Sequence, residues 1–206
     1  MPCIESAAPG ASAMPVNIPN TLTWMRIALI PIVVGVFYLP PDWLNGAERN
    51  LLAAVVFVAA AVTDWFDGYL ARSLGQTSPF GAFLDPVADK LMVAAALIVL
   101  VQLDRLDAIL AVIIIGREIT ISALREWMAQ LGKSANVAVA FVGKLKTAAQ
   151  MTAIPLLLYN APLLGVGTRL LGTILIWIAA GLTLWSMGYY LHRAAPILKA
   201  GGGRTT

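Results

Sequence analysis

The charged residues of this chain sit at alternating ends of successive apolar stretches. Those stretches are Ile27 to Leu39, Leu51 to Thr63, Leu91 to Leu103, Ala108 to Gly116, Thr147 to Tyr159 and Leu170 to Leu191. Only the last approaches the ~20 residues that cross a hydrocarbon core unaided. The middle four reach that length when joined to a charged neighbour: Asp64 to Arg72 follows the second, Asp85 to Lys90 precedes the third, Arg117 to Glu126 follows the fourth, and Lys144 and Lys146 precede the fifth. Consecutive spanning helices run in opposite directions, so charged ends that alternate along the sequence arrive on one side of the membrane. Arg26, at the start of the first stretch, joins them. The expected fold is all-α: a polytopic membrane protein of six transmembrane helices. Their dry halves lie in one leaflet, and their charge-bearing halves surround a shared polar cavity where intramembrane ionisable groups face water and one another.

Composition agrees with this reading. Of 206 residues, 59% are hydrophobic and 12% charged, against about 25% charged in soluble domains, and the mean hydropathy is +0.80. The net charge of +3 comes from thinly spread basic residues, which gives no footprint for nucleic acid. The pooled side carries Arg72, Lys133, Arg193, Lys199 and Arg204. The opposite side has Arg49, Arg105 and Arg169 accompanied by Asp42, Glu48, Asp104 and Asp107. The positive-inside bias therefore makes the pooled side cytoplasmic, with both termini inside. Asn17 to Thr23 is expected to lie as a short interfacial segment at that surface.

Residues 1–15 read as a disordered extension rich in Ala, Pro, Ser and Gly, without the basic and apolar regions of a cleaved signal, and Met14 is an alternative start. A single membrane domain is expected over 16–195, followed by a flexible tail at 196–206. The lone Cys3 builds neither a disulfide framework nor a cysteine metal site within one chain.

Four aspartates concentrate the chemistry: Asp64-x-x-Asp67-Gly68-x-x-Ala71-Arg72, eight residues, then Gly81-x-x-x-Asp85-x-x-x-Asp89. Carboxylates at bilayer depth are costly and need a compensating role. Asp64 and Asp67 are three apart on one helix, Asp85 and Asp89 four apart on the next, so each pair projects from one face. A turn-rich connection with Thr77, Ser78 and Pro79 returns the second helix antiparallel to the first. Hard divalent cations prefer carboxylate oxygen, and Mg2+ is commonly held by a few carboxylates together with substrate phosphates. Four carboxylates overfill one such shell, which favours two ions roughly 3.5–4 Å apart that clamp a pyrophosphate. Gly68, Ala71, Gly81 and Ala82 keep side-chain bulk away from the acids, either for close helix packing or to admit a flat base against backbone.

The whole constellation resembles the signature of the CDP-alcohol phosphotransferases, with every signature position present. From Val16 onward, Asn17-Ile18-Pro19-Asn20, Val62 to Gly68, Phe83 to Lys90 and Arg117-Glu118 through Arg125-Glu126-Trp127 look like the bacterial members that use glycerol 3-phosphate. The resemblance implies a six-helix membrane fold in the bacterial inner membrane, commonly a homodimer, with a site facing the cytoplasm. It implies transfer of the phosphatidyl group from CDP-diacylglycerol to glycerol 3-phosphate, giving phosphatidylglycerophosphate and CMP with Mg2+ or Mn2+. By motif position it makes Asp64, Asp67, Asp85 and Asp89 the metal ligands and Asp89 also the general base. It puts Asp64, Gly68, Ala71, Arg72 and Gly81 near the cytidine nucleotide.

The acceptor's own phosphate needs cations, and Arg117, Arg125, Lys144 and Lys146 fall at the pooled ends of the fourth and fifth helices. Guanidinium forks bind phosphate bidentately and lysine acts as a point charge, so Arg117, Arg125 and Lys144 are the expected contacts. The alternative is that Arg117 with Glu118 and Arg125 with Glu126 are ion pairs that secure helix packing. Three competing functions also use membrane carboxylates. An ion-coupled transporter predicts repeated halves and broken helices, absent here. A prenyltransferase draws on aspartate motifs far apart in a longer chain. Other CDP-alcohol phosphotransferases differ in the acceptor alcohol.

Overall fold

The computed structural model describes residues 18–74, 79–130, 140–163 and 165–201; within these, the side chains of 18–20, 22, 67–74, 79–83, 125, 128–130, 140–142, 190, 191 and 193–201 are not described. Six α-helices make up nearly all of it: α1 (Ile18–Gly35), α2 (Gly46–Leu74), α3 (Pro79–Gln102), α4 (Ala108–Gln130), α5 (Ala140–Tyr159) and α6 (Thr168–Gly201). A 3-10 turn (Val36–Tyr38) follows α1, and a short hairpin of β1 (Pro162–Leu163) and β2 (Val166–Gly167) links α5 to α6. Helices α2 to α5 each join an apolar stretch to its charged neighbour without a break, as the charge pattern requires. Ile18 to Thr23 is helical and continuous with the rest of α1, and Asn17 lies outside the described residues. At the other end α6 runs to Gly201.

Local signals set the helix ends. Asn45 and Glu48 form a reciprocal capping box at the start of α2: the Glu48 amide donates to Asn45 Oδ1 at 2.9 Å and the Asn45 amide to Glu48 Oε2 at 2.8 Å. Asp107 caps α4 by accepting from the Ile109 amide at 2.7 Å. Helix α3 closes on Asp104 in the left-handed region (φ 54°), with the Arg105 amide bonded back to the Leu100 carbonyl at 2.9 Å and the Asp104 amide to Val101 at 3.1 Å.

That closure aims Arg105 across the bundle. Its guanidinium donates to the Leu157 and Leu158 carbonyls at the end of α5, at 3.1 and 2.6 Å, and to Asn50 Oδ1 of α2 at 2.8 Å. Arg169, at the start of α6, donates to the Asp104 carbonyl at 3.1 Å, and the Tyr38 hydroxyl after α1 donates to Gln102 at 3.2 Å. One pole therefore gathers the ends of α1, α3 and α5 and the starts of α2, α4 and α6, so the six helices alternate in direction. Burial, and then the neighbouring Arg169 cation, lower the Arg105 pKa.

The core is aliphatic and small-residue rich, with Val33, Ala53, Phe57, Ala96, Leu97, Leu100, Ile114, Ile154, Leu157 and Ile176 nearly inaccessible. Helices α5 and α6 pack most extensively; α1 packs on both α2 and α3, whereas α2 and α3 touch each other at few points. Large apolar side chains also face outward, among them Ile109, Val112, Leu170 and Trp177, at 60% exposure or more. Among the described residues, two helical segments, Gly46–Phe66 and Thr168–Tyr189, are long and apolar enough to cross a membrane. Only 22% and 33% of their most apolar windows are buried. A soluble core helix buries most of such a surface, so this outward apolar face suits association with a membrane.

Candidate active site

The end of the bundle opposite Arg105 collects the charges. Thr23 and Arg26 lie three apart on α1, so they share a face. Both are buried at 1% exposure. Arg26 pairs with Asp64 of α2 at 2.6 Å, and the Thr23 hydroxyl donates to Asp85 of α3 in a short hydrogen bond. Asp64 is close enough to Asp85 to feel its charge, and Asp89 to feel Asp64, Arg26, Lys90 and Lys146. Asp64 and Asp85 are thus both held from one face of α1, and Asp89 follows one turn after Asp85, which puts three half-buried acids of two consecutive helices at the same pole.

A second polar group lies beside them at the junction of α4, α5 and α6. The Lys146 ammonium of α5, 3% exposed with its side chain, pairs tightly with Glu118 of α4, and Arg117 approaches the same carboxylate at 3.7 Å. Arg117 also donates to Ser186 Oγ of α6 at 2.9 Å, and Ser186 in turn donates to the Thr183 carbonyl at 3.0 Å. Gln150, one turn beyond Lys146, is buried with Oε1 lacking a hydrogen-bond partner among the described residues. Lys146 lies within electrostatic range of Asp89, so the basic group shares a pole with the acids.

A model of the CDP-alcohol phosphatidyltransferase family matches residues 16–185, a range that begins just before α1 and ends within α6. The chain belongs to this family. Among CDP-alcohol phosphatidyltransferases it is similar to proteins named CDP-diacylglycerol–glycerol-3-phosphate 3-phosphatidyltransferase. The one from Pseudomonas fluorescens is 52% identical over 189 residues, covering 90% of this chain and 94% of the relative. Those from Pectobacterium atrosepticum and Escherichia coli K12 are 52% and 50% identical over 183 residues, covering 88% of this chain and 96% of each relative.

In this member of the family, the donor chemistry at the acid pole suits a hard divalent cation. The available groups there are carboxylate and hydroxyl oxygens, the donors such an ion prefers. Among the described residues no three acids converge tightly enough to complete a metal shell by themselves. The Asp67 backbone lies in α2, but its carboxylate is outside the described side chains, as are Gly68, Ala71 and Arg72. Gly81 in α3 and Arg125 in α4 are outside them as well. Of the basic residues expected to meet the acceptor, Arg117 is buried in the second polar group, whereas Lys144 is exposed on α5.

Residue typing by charge passed over three groups that the fold brings in. Thr23 is an ordinary hydroxyl in an apolar helix, yet its three-residue spacing from Arg26 marks a shared face. Glu118 has two cations, not only its sequence neighbour. Ser186 is a lone hydroxyl on α6 that receives Arg117 across the bundle.

Proposed function

We propose that this protein transfers the phosphatidyl group of CDP-diacylglycerol to sn-glycerol 3-phosphate, giving phosphatidylglycerophosphate and CMP for phospholipid biosynthesis. The observation that carries this reading is that α1 holds Asp64 through Arg26 and Asp85 through Thr23 at the pole of an apolar bundle where the Lys146, Glu118 and Arg117 group also lies. The names of the relatives supply the choice of acceptor.

In this reading Asp64, Asp67, Asp85 and Asp89 hold two divalent ions, Mg2+ or Mn2+. When bound, such ions neutralise the diphosphate and stabilise the attacking and leaving oxygens of an in-line displacement. Asp89 takes the proton of the acceptor's primary hydroxyl as that oxygen attacks the phosphorus next to diacylglycerol. The new ester bond forms as the bond from that phosphorus to the CMP oxygen breaks, and CMP leaves with the electron pair. Gly68, Ala71, Arg72 and Gly81 face the cytidine nucleotide together with Asp64. Arg117, Arg125 and Lys144 receive the phosphate of the acceptor, where guanidinium forks and an ammonium complement its oxygens.

The six helices all span the bacterial inner membrane as one domain over 16–195, and the acid pole opens to a cavity on the cytoplasmic side. The support is the alternation of helix direction together with the larger share of uncompensated basic residues flanking that pole. The active species is a homodimer. The test is an acceptor panel with labelled CDP-diacylglycerol and Mg2+. Glycerol 3-phosphate alone should yield labelled phosphatidylglycerophosphate; product with serine, inositol phosphate or phosphatidylglycerol instead would move the protein to another acceptor class.

A further inference from the structure

Helix α1 carries none of the four aspartates, yet it makes the closest contacts to two of them. Arg26 and Thr23 project from one face and engage a different helix each: Arg26 meets Asp64 of α2 at 2.6 Å, and Thr23 donates to Asp85 of α3. Helices α2 and α3 touch each other at few points, while α1 packs along both. The spacing between the two acid-bearing helices is therefore set through α1. A buried arginine and a buried hydroxyl in an otherwise apolar helix are unfavourable unless they are matched by partners, and here both partners are acids of the site.

We infer that Thr23 and Arg26 are positioning residues of the acid site, holding the Asp85 and Asp64 carboxylates in the orientation that receives divalent ions. This rests on the metal reading proposed above. The Thr23 hydroxyl donates to Asp85 Oδ1 and so fixes the rotation of that carboxylate. The Arg26 guanidinium fixes Asp64 through a charge-assisted contact and keeps that acid from swinging away from Asp85. Outer contacts of this kind orient ligands, and their loss typically lowers metal affinity about 10–100-fold.

The test is Mn2+ binding to the purified full-length protein in detergent, followed by the electron paramagnetic resonance signal of the free ion, without any substrate. Thr23→Val keeps the shape and removes the donor, and should weaken Mn2+ binding about 10-fold or more. Thr23→Ser keeps the hydroxyl and should bind within about two-fold of wild type, since the donor is intact. Arg26→Lys, which keeps the charge and loses the planar fork, should follow Thr23→Val. Thermal unfolding in chelator checks that each variant is folded, and the KM for glycerol 3-phosphate should not change in Thr23→Val. Undiminished Mn2+ binding by both Thr23→Val and Arg26→Lys would overturn this inference alone. Wild-type protein that binds no Mn2+ would overturn the underlying metal reading and this inference with it.

Discussion

Arg105, in the turn after α3, donates to the Leu158 carbonyl at the end of α5 at 2.6 Å, and so ties together helices whose opposite ends carry the chemistry. The same side chain reaches Leu157 and Asn50, which makes it the main polar tie at that pole. Arg105→Met keeps length and apolar packing but leaves the carbonyls of two buried residues at the end of α5 without their charged donor. The expected cost is about 1.5–3 kcal/mol, read as a lower thermal midpoint in detergent. The kcat of the folded fraction should stay unchanged, since the reacting groups lie at the other pole.

Gly172 of α6 faces Leu157 of α5 so closely that a methyl group there would lie 2.8 Å from Leu157 Cγ and 3.2 Å from the Ala153 carbonyl. Leu157 is fully buried and its Cγ is a branch point, so it has little room to yield. Gly172→Ala should destabilise the α5–α6 pair by about 1–3 kcal/mol, the usual range for overpacking. Thermal midpoints compared with an exposed control such as Gly181→Ala measure this, because a methyl at Gly181 meets nothing within 4 Å.

Glu118 is shared by Lys146 and Arg117, so removing its charge leaves two cations facing each other. The loss for Glu118→Gln should fall at or below the about 3–5 kcal/mol of a fully buried pair, because the Glu118 side chain retains 24% exposure. Lys146→Met in the same background should recover part of it. A double-mutant cycle should return a coupling of about 0.5–3 kcal/mol, and a value near zero would mean the two groups are independent.

Asp89→Asn keeps size and hydrogen-bonding shape while removing the base. Turnover should fall by about 10²–10⁴-fold, with CDP-diacylglycerol binding largely retained. Undiminished turnover would remove Asp89 as the base.

Much of this organisation was legible in the chain because its two main determinants are local. Apolar runs too short to span alone had to borrow their charged neighbours, and the continuous helices α2 to α5 do so. Alternation of those charges then dictates which ends meet, and the Arg26–Asp64, Thr23–Asp85 and Lys146–Glu118 contacts lie at one pole. Cross-helix pairing was less legible. A sequence gives the spacing of residues on one helix but not the rotation of that helix against its neighbours, so Thr23, Glu118 and Ser186 gained their partners only through tertiary packing. Long-range ties at the opposite pole were hidden for the same reason: Arg105 reads as a loop charge until the left-handed turn at Asp104 directs it to α5.

The account stands on acids that work through divalent ions. Its most direct test is CMP release from CDP-diacylglycerol by the purified protein with glycerol 3-phosphate, measured with added Mg2+ or Mn2+ and again in excess chelator. Release should require the ion, vanish in chelator and return when the ion is restored. Equal release in chelator would contradict the role given to Asp64, Asp67, Asp85 and Asp89.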